Sequence, residues 1–193
     1  MESLVKEKTK FGAVYTLECM RLCDPVTHKR FRNEGGRFLP RQLIWTEQAH
    51  NVVTAEGLNS ILNIMFHAAT QITTWYCVIS ETDTAGADGL TYAVPSFTET
   101  EAYDEATRPE YVEAESSAKS TTNVASKAVF TINATKTLYG AGLVGGGTDP
   151  TVKSDAAGGG TLFSYAKFGA SRGVVDDDVV NLTVAVGGAD DGA

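Results

Sequence analysis

The chain has 193 residues, a formal net charge of −8 and three cysteines. That length suits one β domain with an extension, or one domain and a half, and buries a core without covalent staples, while Cys19, Cys23 and Cys77 are too few and too odd for a disulfide framework. The charge is uneven, +3 over residues 1–50 and −11 over residues 51–193, and an acidic body argues against nucleic-acid binding, which needs clustered basic neutralisation.

Met1-Glu2-Ser3-Leu4-Val5-Lys6 is not a charged-then-apolar leader. No apolar run reaches the roughly 18 residues of a membrane span. The expected product is soluble, made in a reducing cytoplasm and without membrane contact.

Residues 1–50 lack sustained periodicity. Phe11 to Met20 suggests one strand, in which Val14, Thr16, Cys19 and Met20 break strict alternation. Asp24-Pro25 and Asn33-Glu34-Gly35-Gly36 are turn signals, and Pro40 bars the stretch from Phe38 to Trp45 from a central strand. The region reads as an extended N-terminal arm with short strands, ordered by the body or by neighbouring subunits, because alone it would not offset its ordering entropy. Its basic residues Lys29, Arg30, Arg32, Arg37 and Arg41 cluster around Phe31, Phe38, Leu43 and Trp45. Buried aromatics with directed arginine contacts at the rim make protein interfaces. The set is therefore expected to pack on another subunit rather than on the body's own core edge.

The body is expected over residues 51–193, opening with a helix near residues 55–68. Thr54 is the N-cap, Glu56 suits the first turn, and Leu58, Ile61, Leu62 and Met65 recur at helical spacing to cover one edge of a sheet. Beyond residue 72 the pattern is that of strands. Trp75-Tyr76-Cys77-Val78-Ile79 is β-branched and aromatic, and Phe130 and Ile132 share a face. Leu162, Ser164, Ala166 and Phe168 are placed on one face, and Val180, Leu182, Val184 and Val186 alternate with polar or small neighbours. Gly-rich connections at 85–89, 145–150 and 156–160 separate these runs. One helix among many strands predicts a mainly β protein, an antiparallel β-sandwich or jelly-roll-like domain, with the sandwich as the physical choice.

Candidate chemistry is sparse. Cys19, Cys23 and His28 have loose spacing for zinc, and His50 is the only nearby fourth ligand; ordinary reduced thiols are the expectation. Asp176-Asp177-Asp178 lacks the spacing of a calcium loop and reads as a solvated turn. Glu99, Glu101, Asp104, Glu105, Glu110, Glu113 and Glu115 crowd one irregular segment rather than two sides of a hydrolytic cleft. Within it, Arg108 before Pro109 is the residue singled out, for bidentate contacts inside the segment or across an interface. Gly140-Ala141-Gly142-Leu143-Val144-Gly145 has no βαβ unit around it and is read as a bulged or closely packed strand. The three histidines offer no Ser/His/Asp set, so no catalytic residue, metal or cofactor is assigned.

Five phrases in fixed order carry a resemblance. They are Asn51-Val52-Val53-Thr54-Ala55-Glu56-Gly57-Leu58-Asn59-Ser60-Ile61-Leu62, Gln71-Ile72-Thr73-Thr74-Trp75-Tyr76, and Ala102-Tyr103-Asp104-Glu105-Ala106-Thr107-Arg108-Pro109. The last two are Ser126-Lys127-Ala128-Val129-Phe130-Thr131-Ile132-Asn133-Ala134 and Val174-Val175-Asp176-Asp177-Asp178-Val179-Val180-Asn181-Leu182-Thr183-Val184. Together they resemble a family of small β-rich virion proteins of tailed bacteriophages and prophages. The resemblance implies a non-enzymatic structural protein of the virion, a capsid decoration (cement) protein contacting the major capsid protein or other virion subunits, as a homo-oligomer with a trimer favoured. A tail or head fibre-base adaptor is the alternative role.

Overall fold

The computed structural model describes residues 10–189. The elements in order are β1 (Lys10–Arg21), β2 (Gln42–His50), β3 (Val52–Val53), α1 (Ala55–Phe66), β4 (Trp75–Ser80), β5 (Ser120–Thr122), β6 (Ala128–Thr131), β7 (Lys136–Gly145), β8 (Thr161–Val174) and β9 (Val179–Ala189). They form two antiparallel sheets. One has the order β2-β1-β9, with β5 and β6 both pairing β9; the other has the order β3-β8-β7-β4. The protein is thus a mainly β, two-sheet sandwich with one helix.

Between the sheets lies a core built by period-two alternation. β9 contributes Val180, Leu182 and Val184, all fully buried. Opposite them across the sandwich lie Cys77 and Ile79 of β4, Ala141 and Leu143 of β7, and Phe163, Ala166 and Phe168 of β8. A second, smaller cluster joins Val78, Val144, Leu162 and Tyr165 to Leu90 and Tyr92, which cover the outer face of the second sheet. β8 does not keep the single face predicted for it. A bulge between the pairs Leu143↔Ser164 and Val144↔Leu162 interrupts the alternation, so Leu162 joins the second cluster while Ala166 and Phe168 stay in the first.

The N-terminal region departs from the extended arm expected of residues 1–50. β1 lies between β2 and β9, paired along its length from Lys10↔Ala189 to Met20↔Val179. Its inward residues Ala13, Tyr15, Leu17 and Cys19 alternate strictly and are buried. The expected boundary at residue 50 therefore falls inside one sheet. Only residues 22–41, between β1 and β2, leave the sandwich. Residues 1–9 of the expected arm lie outside the described residues.

β2 does not end the sheet as a bare edge. Glu47 accepts the Gly169 amide (2.9 Å) and the Arg172 guanidinium (2.8 and 2.5 Å), tying β2 to the C-terminal half of β8. An exposed row of ladder groups invites unwanted pairing, and a charged cover of this kind blunts it.

α1 has the predicted N-cap: the Thr54 hydroxyl accepts the Gly57 amide (2.9 Å) and donates to the Leu162 carbonyl. Glu56 in the first turn accepts the amides of Tyr92 (2.8 Å) and Leu162 (2.6 Å). The helix face is only in part the predicted one. Gly57 presses on the Phe163 backbone, where a Cβ would come within 2.4 Å of the carbonyl oxygen, and Ile61 packs on the core. Leu58, Leu62, Met65 and Phe66 point outward. A side-chain-free contact at Gly57, fixed by the Thr54 and Glu56 anchors, sets the rotation of the helix.

Candidate interaction surface

Residues 22–41 are built from the two turn signals read in the sequence. Asp24 accepts the amides of Val26 (3.1 Å) and Thr27 (2.7 Å), and Asn33 accepts the Arg37 amide (2.9 Å). Gly36 takes a positive φ of 77°, which a residue without Cβ adopts at no steric cost. Bridges Cys23↔Arg30 and Arg32↔Phe38 hold the excursion together. Its base is pinned by Arg41, whose guanidinium donates to the Asp177 carbonyl.

This excursion displays most of the predicted set. Lys29, Arg30, Arg32 and Arg37 are exposed, and Phe31 is half-buried. Phe38 is 54% exposed, with the Arg32 guanidinium 3.8 Å and that of Arg30 4.8 Å from its ring centre. Stacked in this way, the arginines hold the ring as a flat, charged-rimmed projection. None of the five basic residues makes an ion pair among the described residues.

Leu43 and Trp45 belong elsewhere. Both lie in β2; Leu43 is exposed, whereas Trp45 packs against the core and donates its indole N–H to the Gly173 carbonyl (3.1 Å). Sequence proximity to Phe38 gave Trp45 its place in the predicted surface, and strand direction removes it.

Arg108 is also separate. It is buried inside the acidic segment, 3% exposed. Nε and Nη2 grip the Glu99 carboxylate (2.7–3.0 Å), Nη1 donates to the Tyr92 hydroxyl and the Pro150 carbonyl (both 3.0 Å), and Nη2 also reaches the Asp155 carbonyl (3.0 Å). All five guanidinium N–H donors are used. The Tyr92 hydroxyl donates onward to Asp155 (2.7 Å), and burial pushes its pKa up to about 12. Burial likewise raises the Glu99 carboxyl, with Arg108 opposing that shift. Beside the pair lies a cavity of about 290 Å³ lined by Tyr92, Phe97, Glu99, Arg108 and Leu162. Its guanidinium is saturated and has no donor left to recognise a ligand.

The other candidates do not converge. The fully buried Cys19 thiol donates to Asp178 (3.5 Å), Cys23 lies in the excursion, and His50 is exposed at the end of β2. No group of three or more His, Cys, Asp or Glu is arranged to hold a metal among the described residues. The aspartate triplet divides: Asp176 and Asp177 are exposed, while Asp178 is fully buried and paired with Arg21. Glu101, Asp104, Glu110, Glu113 and Glu115 are exposed.

The sequence reading missed a second surface, the outward face of α1. Its signal was present as the helical spacing of Leu58, Leu62 and Met65, which shows that residues share a face without showing which way that face points. Beneath it runs a groove of about 320 Å³ lined by Ile61, Met65, Ile72, Trp75, Tyr111 and Glu113. No helix among the described residues is long and apolar enough to cross a membrane. No known family model and no curated protein matches the chain.

Proposed function

We propose that the protein is a non-enzymatic structural component of a tailed-bacteriophage virion, a decoration protein that stabilises the head by bridging neighbouring major capsid subunits. It is made in the host cytoplasm, acts in the virion and works as a homo-oligomer, with a trimer favoured. The observation that carries this reading is the excursion at residues 22–41, where exposed Phe38 is stacked under Arg30 and Arg32. An aromatic ring rimmed by guanidinium groups that make no ion pair among the described residues contributes buried area and directed contacts to a partner. The buried ion pairs Arg108–Glu99 and Arg21–Asp178 are engaged inside the fold. The five phrases that resemble small virion proteins agree with this role.

The test is made on particles of the phage or prophage that encodes the chain. Their content of this protein is measured against the major capsid protein, for wild type and for Phe38→Ala with Arg32→Ala. A decoration protein is present in proportion to the capsid lattice, and the double variant is missing from otherwise normal heads. A copy number matching the single tail would instead assign an adaptor role, and absence from particles would overturn the reading.

A further inference from the structure

Among the described residues two surfaces lack a partner, and they lie toward opposite ends of β9. The excursion emerges where Met20 pairs with Val179, and the groove beside α1 opens near Trp75 and Val186. Along β9 the interval from Val179 to Val186 spans about 24 Å at the usual rise of a strand. Phe38 lies four residues from Gln42, which pairs with Arg21 at the Val179 end, and four residues reach at most about 14 Å, so a chain cannot fill its own groove with its own Phe38.

The two surfaces are complementary in shape class and charge. The excursion offers an exposed ring flanked by Arg30 and Arg32. The groove offers apolar walls that include Met65 (67% exposed), and Leu62 and Phe66 (81% exposed) are further exposed apolar side chains of the same helix. Its far wall is residues 110–115, anchored where the Tyr111 amide donates to the Trp75 carbonyl (2.8 Å) and the Ala114 amide to the Thr122 carbonyl (3.0 Å). Glu113 lines this wall, Glu110 and Glu115 are its acidic neighbours in the chain, and all three are exposed and make no ion pair among the described residues. Exposed apolar side chains gathered on one helix mark a candidate interaction site, and a basic-rimmed aromatic matches an apolar groove that carries Glu113.

We infer that the groove beside α1 receives Phe38 of a second copy of this chain, with Arg30 and Arg32 of that copy meeting Glu113 and its acidic neighbours. The inference rests on the proposed reading of the excursion as an interface, and names its partner. The contact is head-to-tail, joining two different patches. Such contacts close into rings when the rotation permits, and any ring, a trimer included, fills every groove.

The test uses purified full-length protein in sedimentation equilibrium at low and high salt. Wild type associates, more weakly as salt rises. Arg30→Glu with Arg32→Glu, and separately Glu113→Arg, each raise the dissociation constant about tenfold or more at low salt. These positions are exposed, and an unchanged melting temperature verifies that each variant is folded. The two variants mixed together recover pairwise association, because each then offers the other a complementary surface, and the recovered species are even-numbered, since an odd ring would bring two like copies together. A wild type that stays monomeric under all conditions, or a mixture that fails to recover, overturns the inference. Particle content separates this from the wider proposal. If the excursion variants are lost from heads while purified wild type stays monomeric, the excursion contacts another virion subunit and only the groove assignment fails. If wild type associates as described yet is absent from particles, the virion role fails and the self-contact stands.

Discussion

Arg21 and Asp178 form a two-pronged ion pair between the end of β1 and the turn before β9. Nε lies 2.7 Å from Oδ1 and Nη2 2.6 Å from Oδ2, with the carboxylate fully buried. The same carboxylate accepts the Val175 amide (2.9 Å) and the Cys19 thiol (3.5 Å). Removing one member of a buried pair strands the other, at a cost of about 3–5 kcal/mol. Asp178→Ala is expected to lower the unfolding free energy in urea by that amount. Arg21→Ala is expected to cost a comparable amount, since it leaves the fully buried carboxylate with only the Cys19 thiol and the Val175 amide.

That pair bears on where the domain begins. Deleting residues 1–50 removes β1 and β2 and exposes the whole of β9's inner edge. It also takes Tyr15, Leu17 and Cys19 out of the core. The truncated protein is expected to give a disordered circular-dichroism spectrum or to aggregate, whereas a soluble β spectrum would show that β1 is dispensable.

β1 illustrates which parts of the fold were legible in the sequence. β9 was legible because its inward Val180, Leu182 and Val184 alternate with Asn181, Thr183 and Ala185. In β1 the outward residues include Val14 and Met20, while the inward ones include small Ala13 and amphipathic Tyr15, so hydrophobicity alone hides the period. The Tyr15 hydroxyl is accommodated by Ser164 (2.5 Å), a partner 149 residues away that local reasoning cannot supply. The same holds for Arg108. Its candidacy was visible from its isolation among carboxylates, but its ligands at Pro150 and Asp155 come from a Gly-rich connection that reads as linker. The turns at Asp24 and Asn33 were legible because Asx side chains close them locally.

For Arg108 a pH-dependent defect is expected. In Arg108→Met, Glu99 keeps its burial and loses the cation opposing the upward shift, so the folded state favours the neutral carboxyl. A raised folded pKa contributes stability below the unfolded carboxylate range and loses it as pH rises. The variant should therefore be destabilised by about 3–5 kcal/mol near neutrality, and the deficit should shrink on acidification toward pH ~4. Denaturant titrations across that range measure it. A deficit that is flat or grows in acid would contradict burial as the cause.

The cysteines report on β1 independently. Burial, reinforced by Asp178, pushes the Cys19 thiol up to about 12, and burial raises Cys77 as well. Only the thiolate reacts, and of the three only Cys23 is not fully enclosed. A thiol reagent at mildly alkaline pH should modify Cys23 alone in the native protein and all three in urea, as mapped by peptide mass. Rapid native labelling of Cys19 would mean that β1 leaves the sheet.

Phe38 and Trp45 separate interface from core within a few residues of sequence. Trp45 packs its ring on the core edge, bonds Gly173 and lies 5.9 Å from the Arg172 guanidinium carbon. Phe38 is exposed and lies under the two arginines of its own excursion. Large buried aromatics cost about 3–5 kcal/mol when truncated to Ala, and a half-buried one such as Trp45 should cost roughly 2–3 kcal/mol. Phe38→Ala should remain within about 0.5 kcal/mol, as for an exposed position. Thermal melts of the two single variants check this difference. Assembly should reverse the ranking: Phe38→Ala should melt normally and fail to enter particles, while the folded fraction of Trp45→Ala enters them. If Phe38→Ala melts low, the excursion is part of the body's own packing. If it melts normally and still enters particles, the ring contributes nothing to assembly, and the basic residues around it lose their role as its rim.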